Sequence, residues 1–287
     1  SFWLNYSGSF LTMYLLQFTL ATKQPSMTAP ALAAKLKEIK SRDQVQVFVD
    51  EVAKITRSQF IAAVGNLGAV IPGSLIFCFV LQNIFGHQII SEIYAHKIIG
   101  SLDPLKSLSI FYAIGTGFLL FLSSLISGWF ENWFVYRKLP EMLSQSPAVM
   151  FLFGSRNSQH ISHWLKQNIA GVSGCVSLGF LLAFVPIMGN FFGLPLDVRH
   201  VTLSTGSLTF ALYTLPFDSI ELAPVVLAIM GVLIIGLCNF SVSFIFALFV
   251  ALRARQVHRT WIKQLAQAVW LRFLYRPLDF FFPIRNE

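Results

Sequence analysis

Long apolar runs alternate along this chain with short polar segments. Four of them, Phe60 to Gln82, Leu108 to Phe130, Ile169 to Leu194 and Leu222 to Leu252, are long enough to cross a hydrocarbon core, which takes about 20 residues. Phe2 to Leu20 is also apolar and aromatic, but Asn5, Ser7, Gly8 and Ser9 interrupt it. It reads as an interfacial segment or the end of a truncated span. Between Asp197 and Asp218 only about 15 fairly apolar residues lie before Pro216, too few for a straightforward crossing. Val201 to Leu215 therefore reads as a re-entrant or interfacial element on the outer side, where non-helical backbone is tolerable only if protein or a water-filled cavity supplies its partners.

The polar flanks carry helical patterns of their own. Pro30 suits a first helical turn, and Leu32, Leu36, Ile39, Phe48, Val52 and Ile55 follow at loosely helical spacing. After the fourth run, Val257, Trp261, Leu265, Val269 and Phe273 recur every fourth residue, with Arg255, Arg259 and Lys263 nearly opposite. Such a helix can lie on a membrane with Arg253, Arg255, Arg259 and Lys263 toward acidic lipid head groups.

Charge fixes an expected orientation. Lys and Arg total 21 against 13 Asp and Glu, and their distribution alternates. Lys23 to Arg57 carries seven, the next connection only Lys97 and Lys106, and the following one Arg137, Lys138, Arg156 and Lys166. Beyond the third run there is only Arg199, whereas the tail is rich again. The positive-inside rule expects this of four crossings with both ends of the chain in the cytoplasm. The expected fold is an all-α polytopic bundle with about four spanning helices, one re-entrant element and amphipathic cytoplasmic helices. Its regions are an interfacial and cytoplasmic segment over 1–59, a membrane bundle over 60–252 and a basic tail over 253–287. Only 12% of residues are charged and 55% are apolar, which argues against an ordinary soluble domain. The chain begins at Ser1 without a Met, and it reads as a fragment of a longer protein.

Candidate chemistry is sparse. Cys78, Cys175 and Cys238 lie in apolar runs without ligand spacing, and no metal or other cofactor is expected. No nucleotide-binding, zinc-hydrolase or serine-hydrolase motif is present, so the reading leans away from an enzyme. Gly171, Cys175 and Gly179 recur at four-residue intervals in the third run, and Gly189 and Gly193 follow. Small residues so spaced let helices approach closely, within the bundle or in a homo-oligomer. Pro186 predicts a kink. Asn66, Asn190 and Asn239 are polar groups in apolar runs, suited to interhelical hydrogen bonds or to a transport site. The densest polar cluster joins Asp197, Arg199, His200, Thr202, Ser204 and Thr205. An Asp197–Arg199 salt bridge and hydroxyl capping account for much of it, and binding an anion or relaying a proton is the functional alternative.

Four segments, ATKQPSMTAP (21–30), GWFENWFVYR (128–137), NIAG (168–171) and GLPLDVRHVTLSTG (193–206), resemble a family of bacterial multi-spanning proteins labelled transmembrane site-specific recombinase. The resemblance runs from about Asn5 to Arg255 and implies a Gram-negative inner membrane and a longer parent chain. A tyrosine recombinase holds the scissile phosphate with Arg and His while a Tyr hydroxyl attacks it. Arg199-His200 is similar to part of the His-x-Leu-Arg-His box of those enzymes, but Leu196 stands where the first His belongs and Val198 replaces the Leu. Tyr213 follows inside an apolar run. The charge pattern places Arg199 and His200 opposite chromosomal DNA, so DNA is not expected as a partner. The best physical reading is a transport or envelope role, with recombination as the alternative.

Overall fold

The computed structural model describes residues 2–15, 42–86, 90–254, 256 and 259–282. Its described residues form ten α-helices and no strand: α1 (Phe2–Leu15), α2 (Arg42–Phe85), α3 (Glu92–Ser101), α4 (Ser109–Tyr136), α5 (Leu139–Gln145), α6 (Pro147–Phe153), α7 (Ser155–Phe192), α8 (Val201–Thr214), α9 (Leu222–Ala254) and α10 (Arg259–Tyr275). Short 3-10 turns cover Phe217–Ser219 and Pro277–Phe280. Four helices are long and apolar enough to cross a membrane, and they cover the four expected spans to within two residues at the ends. An all-α bundle with four such helices fits a membrane protein.

The helices outrun the apolar runs in instructive places. α2 is one helix of 44 residues, joining the end of the expected cytoplasmic helix to the first apolar run. No Gly or Pro separates Arg42 from Phe60, so nothing breaks the ladder there. Pro30 and the first part of that expected helix lie outside the described residues. α7 likewise begins at Ser155, so His160, His163 and Trp164 are helical. α7 also continues through Pro186 to Phe192.

The chain divides into two compact units. The first holds residues 1–19 and 122–196. Here α1 lies along α7, and the small-residue face of α7 meets it: a side chain at Gly179 would collide with the Ser7 backbone, and one at Gly171 with the Tyr14 ring. Cys175, between them, is buried. The Ser7 hydroxyl donates to the Val176 carbonyl at 3.1 Å and Tyr14 to Asn168 Oδ1 at 2.9 Å, so polar groups of α1 find acceptors on α7. Ser127 also donates to the Ala170 carbonyl. Gly189 is pressed by the Leu196 carbonyl, 2.8 Å from where its Cβ would stand. Gly193 departs from the packing reading. Nothing approaches it; it adopts φ +65° and ends α7 as a left-handed cap.

The second unit holds residues 20–121 and 197–287. At one end α8 packs against α2, α3 and α9, around a core that includes Ile99, Leu102, Ala113, Leu208 and Ile235. At the other, Phe48, Val52 and Ala53 of α2 pack with Ala251 and Leu252 of α9, Leu265 of α10 and Phe280. Val269 joins that cluster, so Leu265 and Val269 of the stripe expected to face lipid turn inward against protein, while Phe273 is 38% exposed. Arg272 ties the same corner together, reaching Asp279 Oδ2 from Nε at 2.6 Å and Asp50 Oδ1 at 3.5 Å. Arg272→Ala is expected to cost about 1 kcal/mol, because Asp50 is largely exposed and only the Asp279 contact is well sheltered. The check is limited proteolysis, with faster cleavage after Tyr275 in the variant.

Candidate polar site

α8 begins far from either end of its neighbour α9. Asn239 of α9 lies about 25 Å from Leu222 and about 22 Å from Ala254 at 1.5 Å per residue. Its side chain is fully buried and makes three hydrogen bonds. Nδ2 donates to the Ala113 carbonyl of α4 and to the Arg199 carbonyl, both at 3.0 Å. Oδ1 accepts from the Val201 N–H at 3.1 Å. The first N–H of α8, which has no partner within its own helix, is thus capped by a side chain from another helix. His200 occupies the N-cap position but makes no side-chain cap bond.

The strand-like approach to α8, residues 194–200, is not helical and must place its backbone groups elsewhere. Side chains meet that need. The Arg199 N–H donates to Thr116 Oγ1 of α4 at 2.9 Å, and the Val198 N–H to the Asp197 carboxylate at 2.8 Å. Thr116 is itself buried and donates back to the Tyr112 carbonyl. Sequence reasoning missed Thr116, whose hydroxyl is one of several along the same apolar run and does not stand out as Asn239 does.

The six clustered residues have unlike surroundings. Asp197 and Arg199 form an ion pair at 3.1 Å, with the carboxylate side chain 42% exposed and the Arg 23%. Arg199 Nε is enclosed with no acceptor among the described residues. His200 is 1% exposed, and Ser204 and Thr205 are buried. Thr205 donates to the Val201 carbonyl one turn back, so hydroxyl capping is not its role. Thr202 is half-buried.

Tyr213 is at the opposite end of α8. Thirteen residues of helix place it about 20 Å from His200, beyond the reach of any single phosphate held at Arg199. It lines an apolar groove of about 380 Å³ with Leu67, Ile71, Leu75 and Leu233. Among the basic residues expected at head groups, Arg253 and Lys263 are exposed, Arg259 is the first residue of α10, and Arg255 lies outside the described residues. Among the described residues no cluster of His, Cys, Asp or Glu could hold a metal ion.

No curated protein and no solved structure matches this chain. A family model described as site-specific recombinase matches residues 1–283, and the chain belongs to that family.

Proposed function

We propose that this chain is an integral protein of a bacterial inner membrane, with its basic ends cytoplasmic, and that residues 197–215 form a re-entrant element serving passage of a small polar solute or ion. The observation that carries this is Asn239. It holds the start of α8 at half the length of α9, so an α9 that spans the membrane brings Asp197 and Arg199 close to mid-depth. Half-helices that begin near the midplane are a recurrent way to present polar groups to a solute. A half-exposed carboxylate at that depth calls for water beside it rather than lipid. The paired charges cancel, and the guanidinium keeps donors to spare.

The test uses a variant free of Cys78, Cys175 and Cys238, with one cysteine at Thr202, Phe217 or Arg253 and a membrane-impermeant thiol reagent on intact cells. Thr202→Cys is expected to label from outside, more slowly than Phe217→Cys, while Arg253→Cys labels only after lysis. Labelling of Thr202→Cys only after lysis removes the outer vestibule. In a deletion strain, Asp197→Asn and Arg199→Gln should fail to restore permeability or envelope phenotypes; full restoration removes the transport role.

The family description favours recombination as a second reading. The separation of Tyr213 from Arg199 and the burial of His200 work against a phosphate-transfer site built from those residues. An unchanged recombination frequency on deletion, with no DNA binding by the purified protein, would exclude it.

A further inference from the structure

Packing fixes how α10 is rotated. Leu265 is buried and Val269 half-buried against α2, the end of α9 and Phe280, so the face centred on Leu265 belongs to the protein interior. Leu274, nine residues on at about 100° each, lies half a turn around the helix. It is 56% exposed, and Trp270, one turn before it, is 60% exposed. Tyr275, the last residue of the helix, and Leu278 beyond it are also exposed, at 81% and 66%. Lys263 falls on the Trp270–Leu274 side as well.

The cations of this corner divide into two kinds. Arg272 is consumed by Asp279 and Asp50. Lys263 and Arg276 are exposed and join no ion pair of the described residues, and Arg253 is exposed in the last turn of α9. Aromatic and aliphatic side chains mixed with unpaired Lys and Arg complement a surface that is apolar beneath and anionic above. The position suits such a surface too. Ala251 and Leu252, at the end of a helix able to cross a membrane, pack in the same cluster as Leu265, which holds α10 level with that helix end.

We infer that the Trp270–Leu274 face of α10, with Lys263 and Arg276, docks on the acidic lipid surface of the membrane. This is a different face from the Leu265–Val269 stripe that the sequence periodicity suggests. It does not rest on the Asp197–Arg199 reading. Docking of this kind steadies the last helix without adding a crossing, and it makes the corner sensitive to the lipid's charge.

The experiment places a nitroxide label at Leu274→Cys in the full chain lacking its native cysteines, reconstituted in phosphatidylcholine vesicles with or without phosphatidylglycerol. Relaxation by oxygen, which concentrates in lipid, is compared with relaxation by a water-soluble nickel chelate. In phosphatidylglycerol vesicles oxygen should dominate, and the order should reverse in a Lys263→Glu/Arg276→Glu variant. A label at Gln264→Cys, on another side of α10, should favour the chelate throughout. Dominance of the chelate at Leu274 overturns the docking. So does exclusion of both relaxants, where spin–spin broadening would identify a second copy as the cover and its absence another segment of this chain. Oxygen dominance untouched by the charge reversal, or equal with and without phosphatidylglycerol, overturns the acidic-lipid assignment.

Discussion

Asn239→Leu is expected to lose about 3 kcal/mol of stability, measured by thermal or denaturant unfolding in detergent, and to make a cysteine at Ser204 markedly more reactive. The side chain is fully buried and serves two carbonyls and one N–H; the Arg199 carbonyl and the Val201 N–H would lose their partner, whereas the Ala113 carbonyl stays within the ladder of α4. Leucine is close in size, so lost volume is not the cause. Removing one partner of a buried hydrogen bond costs more than the bond's net worth, because the orphaned group has also given up water. Interhelical hydrogen bonds in membrane proteins average well under this figure individually, about 0.6 kcal/mol, but two of the three here go to the irregular start of α8, the Arg199 carbonyl and the Val201 N–H, which has no helix to fall back on. Asn190 provides the contrast. It lies on an exposed part of α7, and Asn190→Leu should leave the unfolding curve nearly unchanged. An Asn239→Leu protein as stable as the parent, with Ser204→Cys still protected, would show that α8 is held without this residue.

Gly231→Ala should be damaging on a similar scale, about 3 kcal/mol, at the upper end of overpacking costs. A Cβ at this position would fall on the carbonyl oxygen of Leu102, which is backbone and belongs to a buried residue at the start of the turn after α3. That turn is stiff. The Asp103 carboxylate accepts from the Leu105 N–H at 2.8 Å and the Lys106 N–H at 3.2 Å, and the Ser107 hydroxyl donates to the Asp103 carbonyl. The methyl group therefore drives α9 away from α3 instead of displacing a side chain. Gly171→Ala meets a different obstacle, the ring of Tyr14, which can be removed. In a Tyr14→Ala background Gly171→Ala should cost almost nothing further, whereas no side-chain truncation rescues Gly231→Ala. Parallel unfolding of the four Tyr14/Gly171 variants and of Gly231→Ala separates the two cases.

Gly231 drew no attention in the sequence, while Gly193 did, and the reason is general. Spacing shows which small residues share a helix face, but whether a backbone comes close to that face depends on residues distant in sequence. The Gly171–Gly179 spacing coincides with a real approach because α1 lies on that face of α7. Gly193 shares the pattern only by number and serves to end a helix. The α10 stripe shows the same limit. Leu265 and Val269 are sheltered, but periodicity cannot say whether lipid or protein shelters them, and here α2 and α9 do so. The Asp197–Arg199 pair was within reach because its partners are two residues apart. The support beneath it was not, since Thr116 and Asn239 come from separate helices.

The sequence by itself determined the long helices and their apolar character, because continuous runs, helix formers and the absence of breakers act through neighbouring residues. It also determined that the helix between Asp197 and Pro216 is much shorter than the other four apolar ones, because polar residues and proline bound that stretch closely. Only the tertiary structure decided how deep α8 begins along α9, which groups satisfy its irregular approach and which face of α10 stays bare. Those outcomes rest on single hydrogen bonds and close contacts between residues far apart in the chain, such as Val201 with Asn239 and Gly231 with Leu102, and no local pattern encodes them.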